Sequence, residues 1–125
     1  MNDLEKIKII KDFVKRTYLE LGIKKAPEII ITNDRKWCQA HTSFGSYEPA
    51  TSRITVYLGK RNLADFLRTL GHELVHHSQN ENDLLYQDAG ETGSKIENEA
   101  NSKAGVMLRN YGKMNNTIYE NKQHK

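Results

Sequence analysis

The chain has 125 residues, a length that accommodates one folded domain and is too short for two independent cores. Charged residues make up 28% and hydrophobic residues 37% of it, which is ordinary for a globular protein and does not favour a disordered chain. The net charge of +3 comes from basic and acidic residues scattered along the sequence, without the clustered basic stripe typical of nucleic-acid binding.

The first predicted element is an amphipathic helix from Leu4 to Leu21. Apolar residues recur there at steps of three and four residues: Ile7, Ile10, Val14, Tyr18 and Leu21. Gly22 follows directly and is positioned to end the helix. This pattern predicts a helix that packs one face against the core.

Three strands are predicted between residues 27 and 58. The β-branched run "PEIIITN" at 27–33 is bounded by Pro27 and Asn33. Two further runs, 41–47 and 53–58, flank the turn-prone sequence "EPATS" and predict a hairpin. Gly45 and Pro49 favour an edge position for the first of these runs, and an ordinary hairpin strand fits equally well.

Two more helices complete the predicted domain. Asn62 is a suitable N-cap for a helix through about Gln79, and a last helix is expected from near Ser94 to near Gly112. Residues 113–125, "KMNNTIYENKQHK", have little apolar content and predict a flexible C-terminal tail. We therefore expect one α+β domain over residues 1–112, with a small, mostly antiparallel sheet of about three strands.

The segment "LGHELVHHSQ" at 70–79 carries the main functional motif. His72 and His76 are four residues apart, so both imidazoles project from the same face of a helix towards a single ion. Zinc binds such nitrogens at about 2.0–2.1 Å. Glu73 lies about 100° around the helix and suits a general base that does not itself bind the metal. The string "HELVH" is the HExxH pattern of the zincin metallopeptidases.

The surrounding sequence predicts where these histidines face. At about 100° per residue, one apolar stripe forms: Leu63, Phe66, Leu67, Leu70 and Leu74. His72 and His76 fall nearly opposite, together with Asp65, Thr69 and Gln79. That polar face opens onto a cleft or onto solvent. The alternative is a solvated helix face, on which His77 is a plain surface histidine rather than a group supporting the site.

A catalytic zinc needs a third protein ligand, and the last helix offers Glu97. Glu97 and Asn101 are four residues apart, on a stripe that also carries Ala104 and Leu108. A carboxylate on a buried stripe is costly unless a partner such as a divalent metal compensates it. The alternative is a capping box, in which Glu97 folds back on Ser94.

A second glutamate in the same segment has a different expected role. Glu99 points about 200° away from Glu97 and precedes Lys103 by one turn. This spacing predicts a solvated ion pair with Lys103 rather than a metal ligand.

The two motifs together resemble the gluzincins, zincins whose third ligand is a glutamate on a later helix. The resemblance rests on His72, Glu73 and His76 and on "IENEAN" at 96–101, and it extends over roughly residues 40–111. The "E-x-E-A-N" form looks most like the ImmA/IrrE-type peptidases and the short metallopeptidase-like proteins of tailed phages. "SKAGVMLRN" then replaces the aromatic, Pro-terminated run of the ImmA/IrrE group.

The resemblance implies a minimal zincin-like fold and a zinc-dependent metalloendopeptidase. Zn²⁺ would be held by His72, His76 and Glu97, with Glu73 as the general base and Asn101 supporting a ligand histidine. The substrate would be a peptide or protein, held by strand addition at the sheet edge. Four side chains stay open as stabilisers of the oxyanion: Tyr47, His77, Tyr86 and Tyr111.

Two other classes of function stay open at this point. One is a non-catalytic, zinc-stabilised binding module, such as a phage accessory protein; the carboxylate of Glu73 beside the ligands argues against it. The other is a small nucleic-acid binder, which the scattered charge disfavours.

Cys38 is the single cysteine of the sequence, so an intrachain disulfide is excluded. No stretch resembles a signal peptide or a membrane span. We expect a cytoplasmic protein, in the host cytoplasm if phage-encoded, without membrane partners and of unknown oligomeric state.

Overall fold

The structure, a computed structural model, describes residues 1–85 and 95–119. These residues form an α+β domain of four α-helices, one short 3₁₀ helix and three strands. In chain order the elements are α1 (Asp3–Leu21), β1 (Glu28–Thr32), α2 (Arg35–His41), β2 (Gly45–Glu48), β3 (Arg53–Tyr57), α3 (Leu63–Glu81), α4 (Lys95–Met114) and the 3₁₀ helix η1 (Asn116–Tyr119).

Helix α1 begins and ends as its sequence predicts. Asn2 and Glu5 form a reciprocal capping box at its start, and Gly22 adopts φ 65° at its end, a left-handed conformation that suits glycine. The buried face differs from the predicted stripe. It centres on Ile10, Phe13 and Thr17, whereas Ile7 is 48% exposed.

The three predicted strands are present, but the sheet is mixed rather than mostly antiparallel. Its order is β1-β3-β2, with β3 antiparallel to β2 and parallel to β1. The hairpin prediction holds for β2 and β3. The parallel pairing arises because α2 and β2 lie between β1 and β3 in sequence and return the chain to its original direction.

The predicted strand at 41–47 is wrong over its first four residues. His41 is the last residue of α2, which the sequence analysis missed, and strand β2 starts only at Gly45. Asp34 caps α2 by accepting a hydrogen bond from the Lys36 amide at 3.0 Å. The helix is seven residues long and contains Cys38, which is half-buried rather than part of the core.

Helix α3 is the central element, packed against the sheet, α1 and α4. Asn62 caps it through the Asp65 amide, and the predicted apolar stripe is buried in full. The central strand β3 turns Ile54 and Val56 into the same core. The motif histidines are therefore carried by the most enclosed helix of the domain.

The ordered part of the chain extends past the predicted boundary at residue 112. Helix α4 continues to Met114, and η1 folds back so that Ile118 is only 1% exposed. The prediction of a flexible tail from residue 113 is thus wrong for residues 113–119, which complete α4 and form η1. Residues 120–125 lie outside the described part of the chain.

No helix within residues 1–85 and 95–119 is both long enough and apolar enough to cross a membrane.

The burial of Ile118 predicts that η1 contributes to the stability of the whole domain. Replacing Ile118 by Ala should lower the free energy of unfolding by about 2–4 kcal/mol, because it leaves a cavity in the core. Urea unfolding followed by circular dichroism measures this change. Thr117→Ala, at an exposed neighbouring position, is the control and should change it by at most about 0.5 kcal/mol. Equal stability of the two variants would show that η1 does not pack on the core.

Candidate metal centre

Three side chains of types that can bind a metal meet where α3 and α4 pack together. Glu97 Oε1 lies 3.2 Å from His72 Nε2, and Glu97 Oε2 lies 3.2 Å from His76 Nε2. The two Nε2 atoms are 3.1 Å apart. Taking one donor atom from each residue, all three lie within 4.8 Å of one another. The group is compact enough for a single metal ion to contact all three residues.

The separations between these donor atoms are close to those of a tetrahedral zinc site. At a zinc–ligand distance of about 2.0–2.1 Å, two corners of a tetrahedron are about 3.3 Å apart. The two Nε2 atoms, 3.1 Å apart, fall just short of that value. Each histidine nitrogen lies 3.2 Å from a different oxygen of Glu97, so the carboxylate faces both imidazoles.

The lowered pKa of His72 also suits a metal ion. Burial lowers this pKa, and the neighbouring His76 lowers it further, although Glu97 and Asn101 act in the opposite direction. A neutral imidazole is the form that binds metals, so the shift favours the metal-binding form of His72.

The register of α4 brings Glu97, rather than Glu99, to the histidines. Glu97 lies in the first turn of α4. Its side chain is 53% exposed, so the prediction that it lies on a buried stripe is wrong, and one side of the group is accessible. Glu99 forms the predicted ion pair with Lys103, at 3.2 Å. The capping-box alternative for Glu97 depends on Ser94, which lies outside the described residues.

Asn101 lies where the sequence placed it, one turn after Glu97. Its side chain is close enough to His72 to raise the pKa of that imidazole. A neighbouring amide of this kind can support one orientation of an imidazole. The side chains that were predicted to act together, His72, His76, Glu97 and Asn101, are thus adjacent in the structure.

Glu73 lies beside this group and is almost enclosed. Its side chain packs against the backbone of Gly45 in β2: a Cβ built on Gly45 would lie 3.1 Å from Glu73 Oε2. Burial raises the pKa of Glu73 to about 8, and the negative charge of Glu97 adds to the effect. A cation bound by His72, His76 and Glu97 would lower the pKa of Glu73 again, because a nearby positive charge stabilises the ionised carboxylate.

Gln79 has a role that the sequence analysis missed. It was assigned to an open polar face, but it is 2% exposed and its amide contacts both helices. Its Oε1 lies 2.8 Å from His76 Nδ1, while its Nε2 donates to the Ile96 carbonyl at 3.0 Å and to Glu99 Oε1 at 2.8 Å. The i, i+3 spacing from His76 on a helix was the available signal.

His77 is not a plain surface histidine, since it is also 2% exposed. Its Nε2 donates to the Lys25 carbonyl at 2.7 Å, and its Nδ1 lies 2.9 Å from the Tyr47 hydroxyl. Asn80 donates to the same hydroxyl at 2.9 Å. These hydrogen bonds connect α3 to β2 and to the loop after α1. His77 and Tyr47 therefore have a structural role.

Of the two remaining candidates for the oxyanion, Tyr111 lies away from the donor group. Tyr111 donates a hydrogen bond to Asp12 at 2.9 Å, at the contact of α4 with α1. It follows Glu97 by 14 positions, which corresponds to about 21 Å along the helix axis. Tyr86 lies outside the described residues.

Comparisons with known proteins give no family: no protein-family model, no curated protein and no solved structure matches this chain.

The contact between Gly45 and α3 generates a stability prediction. A Cβ at residue 45 would lie 2.7 Å from Thr69 Cγ2, a clash that should cost Gly45→Ala about 1–3 kcal/mol of unfolding free energy. Thr69→Ser removes the clashing methyl group and keeps the hydroxyl that accepts from Arg61. The double variant should therefore recover part of the loss, measured by urea unfolding as a double-mutant cycle.

The control for that cycle is Gly105→Ala in α4, where an added Cβ meets nothing within 4 Å. This variant should be as stable as the parent or more stable, because alanine favours a helix by about 1 kcal/mol. If Thr69→Ser recovers no stability in the Gly45→Ala background, the Thr69 methyl group is not the atom that clashes with the added Cβ.

Proposed function

We propose that this protein is a zinc-dependent metallopeptidase of the gluzincin type. The observation that carries the proposal is the convergence of His72, His76 and Glu97 within 4.8 Å, with the buried carboxylate of Glu73 beside them but outside the donor set. Three protein ligands and a separate carboxylate are the composition of a catalytic zinc site.

His72, His76 and Glu97 would hold Zn²⁺, leaving a fourth position for water or substrate. Zinc bound there would supply Lewis acidity, which polarises a peptide carbonyl and makes water more acidic. Asn101, whose side chain is close to His72, would support the binding orientation of that imidazole. The half-exposed side of Glu97 is consistent with access from solvent.

Glu73 is proposed to act as the general base. Its carboxylate would take a proton from the attacking water and deliver it to the nitrogen of the leaving amine. The packing of its side chain against Gly45 restricts its movement, so its oxygens are held beside the site before a substrate arrives. Such a fixed position favours proton transfer at one defined place.

The position of Gly45 also suggests how a peptide is held. Strand β2 is at one end of the sheet order, and among the described residues no strand pairs with its outer side. The same strand carries Gly45, which contacts Glu73. An extended peptide that adds to this edge would pass close to the proposed base. The proposed substrate is therefore a peptide or an extended segment of a protein.

A zinc-stabilised binding module without catalysis is the second candidate. One observation favours it: the donors come from two packed helices, α3 and α4, which a purely structural metal would also join. A structural site, however, usually has four protein ligands and no need for a separate carboxylate such as Glu73. Mutation of Glu73 separates these two functions.

The proposal predicts that metal binding and hydrolysis can be separated by mutation. His72→Ala and His76→Ala should each abolish binding of about one zinc per chain, because each removes a ligand nitrogen. Glu73→Gln should retain zinc and lose at least about 100-fold in peptide hydrolysis, since an amide cannot accept the proton. Zinc content by elemental analysis and cleavage of a peptide library measure the two properties.

Three outcomes would contradict parts of the proposal. Stoichiometric zinc in both histidine variants would rule out the site. Undiminished cleavage by Glu73→Gln would rule out Glu73 as the base. A parent protein that binds zinc and cleaves no peptide would favour the binding module.

A further prediction concerns Glu97 itself. Glu97→Ala should release zinc or weaken its binding strongly, because it removes the only donor contributed by α4 to the group. Ser102→Ala, at an exposed position on the same helix, should leave the affinity unchanged and is the control. Zinc titration against a chromophoric chelator measures both, and equal affinity of the two variants would exclude Glu97 as a ligand.

A further inference from the structure

Gln79 makes three hydrogen bonds at the contact between α3 and α4. Its amide nitrogen has two hydrogens, and the two acceptors are the Ile96 carbonyl at 3.0 Å and Glu99 Oε1 at 2.8 Å. Its amide oxygen lies 2.8 Å from His76 Nδ1. A side chain that is 2% exposed has no competing water partners, so these three bonds define its orientation.

The partners of Gln79 also determine which of its two amide atoms faces His76. A carbonyl and a carboxylate only accept hydrogen bonds, so the nitrogen of Gln79 must face them and its oxygen must face His76. An oxygen acceptor requires a hydrogen on His76 Nδ1. A neutral imidazole carries one such hydrogen, so His76 Nε2 then presents a lone pair towards Glu97 and His72.

We propose that Gln79 and Glu99 are positioning residues of the metal centre, acting in series. Glu99 and the Ile96 carbonyl orient the amide of Gln79, and Gln79 holds His76 in the tautomer whose Nε2 binds the metal. This inference rests on the proposed zinc site. It assigns a function to Glu99, which the sequence predicted to be only one half of a solvated ion pair.

The structure supports a role of Glu99 beyond its ion pair. Both Gln79 and Lys103 contact the Glu99 carboxylate, through Oε1 at 2.8 Å and Oε2 at 3.2 Å respectively. The hydrogen bond from Gln79 is the foremost cause that lowers the pKa of Glu99. The side chains of the ion pair are 51% exposed at Lys103 and 39% exposed at Glu99. The hydrogen bond to Gln79 is partly buried, where α3 packs against α4.

The chain offers matched controls that separate these two contacts. Lys103→Ala removes the ion pair and keeps the acceptor for Gln79. Glu99→Gln removes the charge and also keeps an oxygen acceptor. Glu99→Ala removes both contacts, and Gln79→Ala removes the link to His76 itself.

Zinc affinity is the first measurement, by competition with a chromophoric chelator. Gln79→Ala and Glu99→Ala should bind zinc about 10–100-fold more weakly than the parent, the usual effect of losing a group that supports a ligand. Glu99→Gln and Lys103→Ala should stay within about threefold of the parent, as expected of an exposed ion pair. Glu99 is partly exposed, so Glu99→Ala remains informative if Gln79→Ala fails to fold.

The tautomer of His76 in the metal-free protein is the second measurement, and a merely structural contact would not alter it. Nitrogen-15 NMR, recorded well above the ordinary imidazole pKa of about 6.5, distinguishes Nδ1–H from Nε2–H. The parent should show Nδ1–H at His76. Gln79→Ala should shift His76 towards Nε2–H, and Lys103→Ala should leave it unchanged.

Three results would overturn this inference and leave the zinc site standing. They are Nε2–H at His76 in the parent, parental zinc affinity in both Gln79→Ala and Glu99→Ala, or an equal loss in Lys103→Ala and Glu99→Ala. A parent that binds no zinc overturns this inference together with the zinc site. A parent with the expected tautomer and zinc affinities that cleaves no peptide overturns only the proposed peptidase function.

Discussion

The close approach of α3 to α4 is the constraint on which the candidate site depends. Gly71 on α3 faces Ala104 on α4, where a Cβ built on the glycine would lie 3.6 Å from Ala104 Cβ. Ala100, one turn earlier on α4, is completely buried. Small residues at a crossing allow two helix axes to come close together. Because the axes are close, the short side chain of Glu97 reaches both histidines of α3.

That proximity encloses polar side chains, and hydrogen bonds compensate for the loss of water. His76, His77 and Gln79 are buried in the second half of α3, and each is hydrogen-bonded. Among the described residues, no fully buried side-chain nitrogen or oxygen lacks a hydrogen-bond partner. An unpaired buried polar group costs about 1–3 kcal/mol, so these side chains are held in defined positions rather than left mobile. The ordering needed for a metal centre is thus built into the packing of the helices.

Local signals made most of the fold predictable, and non-local contacts account for what was missed. Asn62 and Gly22 mark helix ends through neighbouring backbone groups, so both could be recognised in the sequence. The parallel pairing of β1 with β3 depends on where α2 returns the chain, which no short window contains. The burial of His77 depends on Tyr47 and on the Lys25 carbonyl, 30 and 52 positions away. Helix periodicity places His72 and His76 on one face of α3, so their proximity was predictable. Their meeting with Glu97 on α4 was expected only because a catalytic zinc needs a third ligand.

Helix periodicity also explains why both glutamates of α4 contact the network around the histidines. At about 100° per residue, Glu97 and Asn101 lie on one side of the buried Ala100, while Ile96 and Glu99 lie on the other. The first pair contacts the histidines directly, and the second pair holds Gln79. Contacts on both sides of Ala100 fix the rotation of α4 about its axis. A shift of one residue in the register of α4 would remove Glu97 and Glu99 from their partners together, so the proposed ligand and its proposed support depend on the same helix packing.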